Sequence, residues 1–72
     1  MQLHPQALRA IRERSGLTIT ALAVQAGIGQ AHLSNLEAGR RQASPEVIKA
    51  LASALKVELP AILSDPNDRS AA

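Results

Sequence analysis

Between Gly27 and Gly39 the chain reads GIGQAHLSNLEAG, and up to Leu36 its polar side chains are of one kind. Gln30, His32, Ser34 and Asn35 form hydrogen bonds without carrying a fixed charge, and Ala31 sits among them. A helix that merely faces water usually carries Glu and Lys. Uncharged amides suit a different task, the reading of base edges, because Gln or Asn can bond adenine through both amide atoms. A small methyl such as that of Ala31 suits contact with the thymine methyl. Arg40 and Arg41 follow at once, where a phosphate would be met. The chemistry on offer is recognition, not bond-making.

Such a surface needs a helix beneath it. Leu33 and Leu36 are three residues apart and share an inward face, which leaves Gln30, Ala31, His32, Ser34 and Asn35 on the others. Gly29 stands at the N-cap of this third helix, and Gly27 supplies the turn before it, with Ile28 buried in the corner. A second helix is predicted over 19–26, capped by Thr18, with Leu22, Ala23 and Ala26 inward. The first helix opens at Pro5, where a missing N–H costs nothing. Leu8 and Ile11 define its buried face, and Arg9, Arg12, Glu13 and Arg14 are expected mostly outward. Ser15-Gly16 ends it, and Leu17 plugs the core. Ser44-Pro45 starts a fourth helix over 45–56 with Ile48, Leu51, Ala52 and Leu55 inward. Residues 60–63 are expected to form a short fifth helix that lays Leu59, Ile62 and Leu63 on the core.

Composition narrows the partner. The chain of 72 residues has no Cys, Phe, Trp or Tyr. Disulfides and thiolate metal sites are therefore unavailable, and bases cannot be stacked on aromatic rings as in many single-strand binders. Residues 1–41 hold five arginines against two glutamates, whereas residues 42–72 hold an acidic excess. This asymmetry favours an anionic partner at the end that carries the third helix. No apolar run is long enough to span a bilayer, and the N-terminus lacks the apolar block of a signal peptide, so a cytoplasmic protein is expected. No enzyme reading survives: there is no clustered carboxylate pair, and GxG at 27–29 lacks the strand and later Gly of a dinucleotide site. His32 has only His4 as a possible partner, so no metal or other cofactor is expected.

Helix, glycine turn and helix make the supersecondary unit of helix-turn-helix DNA binders. The segments LRAIRERSGLT at 8–18, LAVQAGI at 22–28, LSNLEAGRR at 33–41 and SPEVIKALASAL at 44–55 resemble the Cro/C1-type family, also called XRE or lambda-repressor-like. The resemblance covers residues 8–63. It implies an all-α fold of five short helices, with helices 2 and 3 as the DNA-binding unit. It implies that Gln30, Ala31 and Asn35 are the foremost base readers, with Ser34 and His32 beside them. Arg12 and Glu37 match an ion pair that the family places across helices, fixing helix 3 on helix 1 and aiming the guanidinium edge at phosphate. Arg40 and Arg41 are the further phosphate contacts. The family often has Gln after the position of Thr18. Ile19 stands there and cannot bond a phosphate, so Thr18, Thr20 and the helix 2 amides take that role.

The function implied is a sequence-specific, double-stranded DNA-binding regulator, a bacterial or phage repressor that occludes its operator from the cytoplasm or nucleoid. A two-fold operator is expected, with a weak homodimer completed on DNA. Two alternatives remain at this stage. One is an antitoxin that represses its own operon, and the other is a protein-interaction module using the helix 4–5 surface. Either would add a protein partner, such as a toxin or an anti-repressor. Residues 1–63 form the expected domain, and 64–72 a flexible tail or truncated linker.

Overall fold

A computed structural model describes residues 2–63, so the tail expected from Ser64 lies outside the described residues. Four α-helices appear: α1 (Pro5–Arg14), α2 (Ile19–Ala26), α3 (Gln30–Glu37) and α4 (Pro45–Leu55). A 3-10 turn, Leu59–Ile62, follows them. The all-α class expected from the sequence holds among the described residues. Helix α2 packs on both α3 and α4, while α1 packs on α3 and on the 3-10 turn.

Each α-helix starts with the same device. An apolar residue precedes the N-cap and another lies five positions later, the spacing of a hydrophobic staple. The pairs are Leu3 and Leu8, Leu17 and Leu22, Ile28 and Leu33, and Ala43 and Ile48; all lie in one core or against it. The caps between them are His4, Thr18, Gly29 and Ser44. Thr18 Oγ1 accepts from the Ala21 N–H at 3.0 Å and Ser44 Oγ from Val47 at 3.3 Å, as their residue types predict. His4 is an unexpected cap. Its Nδ1 accepts from the Ala7 N–H at 3.0 Å, while its backbone N–H donates to the Ile62 carbonyl at 2.8 Å. The chain before α1 is thereby tied to the end of the fold, and Leu3 and Leu63 form an isolated antiparallel bridge. His4→Ala should cost about 1 kcal/mol in urea unfolding, and His4→Asn only a few tenths. Equal losses in the two variants would mean that the ring, rather than the cap, is what matters.

The helix ends also share one geometry. The residue after a left-handed one returns its N–H to the carbonyl five positions back, the Schellman arrangement. The bonds run from Leu17 to Arg12 (3.1 Å), Ile28 to Ala23 (3.0 Å), Arg40 to Asn35 (3.0 Å) and Val57 to Ala52 (3.0 Å). In the last of these the left-handed residue is Lys56, φ 58°, rather than a glycine. This shortens the expected fourth helix by one residue, to Leu55.

The fifth element differs from expectation in kind and register. It begins at Leu59 and is a 3-10 turn, with Ala61 N–H bonded to the Glu58 carbonyl at 3.0 Å. Pro60 has no N–H to give an α-type bond, and Leu63 is extended to meet Leu3, so the turn closes after Ile62. Ile62 is buried as expected, and Leu59 and Leu63 are half-buried against the core.

Candidate nucleic-acid interface

Helix α3 is anchored from below by Leu33 and Leu36, both fully buried. Above them the residues stand in columns. Gln30 and Ser34 are one i, i+4 pair, and Ala31 and Asn35 the next. Gln30, Ala31 and Ser34 are exposed; His32 and Asn35 are half-buried. These five thus lie outside the core on one short helix, with no fixed charge among them. Gly29 leaves the first amides of α3 without a side-chain cap.

Thr18, Thr20, Arg40 and Arg41 are all exposed, and they flank the two ends of the α2–α3 unit. The Thr18 oxygen is engaged in capping α2, which leaves its hydroxyl hydrogen free to donate. Ile19, by contrast, is half-buried and packed against the core. It lines a shallow hollow of about 240 Å³ with Arg9, Arg12, Ser34, Glu37 and Ala38. Arg9 is a rim residue that sequence reasoning passed over. Its Nε lies 3.2 Å from Glu13, which offsets part of its charge.

Arg12 corrects the expectation of an outward side chain. The residue is 8% exposed. Its Nε donates to Glu37 Oε2 at 2.6 Å, Nη2 donates to Glu37 Oε1 at 3.1 Å, and Nη1 donates to the Leu17 carbonyl at 2.8 Å. Every guanidinium nitrogen is engaged inside the protein, three of the five N–H donors are used, and only a small part of the side chain reaches the hollow. The expected ion pair with Glu37 is present, and with the Leu17 bond it clamps α1, α3 and the end of the α1–α2 connection together. The Glu37 hydrogen bond raises the Arg12 pKa above its ordinary value; the charges of Glu37 and Glu13 add to this and burial opposes it. Arg12 is therefore charged throughout the pH range in which a protein is handled. Sequence periodicity could not show this inversion, because the partner lies 25 residues away.

A tight pair of helices, one glycine turn between them and a polar uncharged face on the second define a helix-turn-helix domain. Residues 8–62 match the HTH_3 helix-turn-helix family, and the chain belongs to that family, of the Cro/C1 (XRE) type. It is 41% identical over 58 residues to the HTH-type transcriptional repressor RghR of Bacillus subtilis, which covers 79% of this chain and 43% of the relative. It is 33% identical over 64 residues to the transcriptional regulator ClgR of Mycobacterium tuberculosis, covering 89% of this chain and 57% of the relative. The chain thus spans about half the length of these curated relatives. In structure it is similar to the restriction-modification controller protein C.AhdI of Aeromonas hydrophila, with TM-score 0.78 and 33% identity over 79% of this chain and 86% of that one.

Proposed function

We propose that this chain binds duplex DNA at a preferred sequence and represses transcription by covering an operator, in the bacterial cytoplasm or nucleoid. The observation that carries the reading is the outer face of α3, where five uncharged side chains stand over a leucine-anchored helix with Arg40 and Arg41 at its exit. The family, and relatives named as a repressor and a regulator of transcription, support it. Gln30 and Asn35 are the principal base readers, Ala31, Ser34 and His32 complete the face, and Arg40, Arg41, Thr18 and Thr20 hold phosphates. Arg12 and Glu37 set the angle of α3 and touch no DNA.

Selection from random duplexes tests this reading and supplies the preferred site. Gln30→Ala and Asn35→Ala should each weaken binding to that site by about 1–3 kcal/mol and leave random DNA almost unchanged. Arg41→Ala should weaken both alike. Uniform losses for all three would abolish the division into readers and positioners.

A two-fold site follows from interface size. One module of this kind buries roughly 600–1,000 Å² on DNA, which is thin for tight specific binding. Two copies with half-sites about 34 Å apart would double the contacts. The half-buried Leu59 and Leu63 and the exposed Pro60 supply modest apolar area for self-association, so pairing is completed on DNA. Ultracentrifugation of the saturated complex should find two protomers per preferred duplex. One protomer per duplex would replace the two-fold site with a single half-site.

A further inference from the structure

We infer that Arg40 is a specificity-determining positioning residue, which fixes the amide of Asn35 in one orientation so that Asn35 discriminates its base. The inference rests on the DNA-binding reading and adds a cause for its selectivity.

It begins with the four helix ends. The residue after the left-handed position is Leu17, Ile28 and Val57 at α1, α2 and α4, and each packs against the core. These three have two duties, since each also stands immediately before the N-cap of the element that follows. An apolar residue at this place is the usual companion of the turn. At α3 the same place holds Arg40, which is exposed. The connection from α3 to α4 is longer, and Ala43 does the work of entering α4. Arg40 is thereby released from any duty in the core, yet its backbone is held as firmly as the others.

What that backbone is bonded to is Asn35 itself. The Arg40 N–H donates to the Asn35 carbonyl at 3.0 Å. Gly39, at φ 78°, gives the chain the left-handed turn that brings Arg40 back over the helix. The side chain then makes a second bond to the same residue, with Arg40 Nη1 donating to Asn35 Oδ1 at 3.4 Å. Guanidinium is a donor only, and an amide has an acceptor end and a donor end. Arg40 can therefore bond Asn35 in one of its two flips and not in the other, where NH₂ would face NH₂. A two-point contact with adenine needs the amide oxygen toward N6 and the amide nitrogen toward N7. An asparagine free to flip spends part of its time presenting the wrong ends. Arg40 accepts no part in base reading itself; it biases Asn35 through the oxygen's second lone pair.

The test is a pair-by-pair measurement of base preference for wild type, Arg40→Ala, Arg41→Ala and Asn35→Ala on the site selected by wild type. Arg40 is exposed, so its truncation leaves the core intact, and a thermal melt of each variant checks this. Arg40→Ala should lower discrimination about three- to tenfold at the one base pair whose preference Asn35→Ala abolishes, and leave preference elsewhere unchanged. Arg41→Ala should preserve every ratio. When Arg40→Ala and Asn35→Ala are combined, discrimination at that pair should fall no further than in Asn35→Ala alone. If Arg40→Ala weakens all duplexes by one common factor, Arg40 is a phosphate contact alone and the inference is overturned while the DNA-binding reading stands. If wild type shows no preference among duplexes, both fall.

Discussion

Glu37→Ala should destabilise the domain by about 3–5 kcal/mol, as measured by urea unfolding. A chain of 72 residues is expected to have roughly 4–11 kcal/mol in total, so the variant stands near the edge of folding. The size of the effect comes from what is left behind. Arg12 would remain buried with the Leu17 carbonyl as its acceptor, and it cannot escape by losing its proton. The sign of the linkage agrees. A group whose pKa is raised on folding stabilises the fold fully below its unfolded value and stops doing so only as pH rises through the folded one, far above neutrality. Titration of Arg12 therefore adds no pH dependence near neutral pH. The paired change Arg12→Met with Glu37→Leu removes both charges at similar volume and should return to within about 1–2 kcal/mol of wild type. If Glu37→Ala costs under 1 kcal/mol, water reaches Arg12 and the clamp is not a buried one. The double variant also separates stability from function. A well-folded protein with a broadened base preference would mean that the pair sets the angle of α3.

This clamp marks where the sequence stops being legible. Local signals were sufficient for local structure: Thr18 and Ser44-Pro45 begin helices where their chemistry says they should, and Gly16, Gly27 and Gly39 take the left-handed turns. The leucine pair of α3 was enough to place the buried face of that helix. What the sequence left unread turns on how each residue meets the packed core, and for His4 and Arg12 the partner is remote in sequence. Leu3 has no periodic neighbours, and its place in the core shows only in the folded packing. His4 is not a common N-cap type, and its place is fixed by the bond to the Ile62 carbonyl. Lys56 adopts φ 58° because Val57 must turn back onto the core, with no glycine to announce it. Arg12 looked outward because its neighbours Arg9, Glu13 and Arg14 are outward. Its burial depends on Glu37 coming from α3 to neutralise it.

Arg12's burial also sharpens the expected response to salt. Affinity for the preferred duplex should fall with a slope of log K against log salt of about −3.6 per protomer, if about four phosphates are neutralised. Raising salt fourfold would then weaken binding by about 150-fold. Cations count toward this slope only when they displace counterions from DNA. On the proposed reading Arg12 does not, because Glu37 already neutralises it at 2.6 Å and both side chains are largely buried. On the same reading Arg40 and Arg41, exposed at the exit of α3, do, so each replacement by Ala should reduce the slope by about 0.9. Arg14 supplies the control. It is exposed, and it lies beside Ile11, Ser15 and Val57, none of which belongs to α2 or α3. Arg14→Ala removes the same formal charge and should leave the slope unchanged. A slope reduced equally by Arg14→Ala and Arg41→Ala would mean that DNA is held by the net charge of the domain. A slope reduced only by the arginines beside α3 places the phosphates along that helix, where Gln30 and Asn35 can reach the base edges.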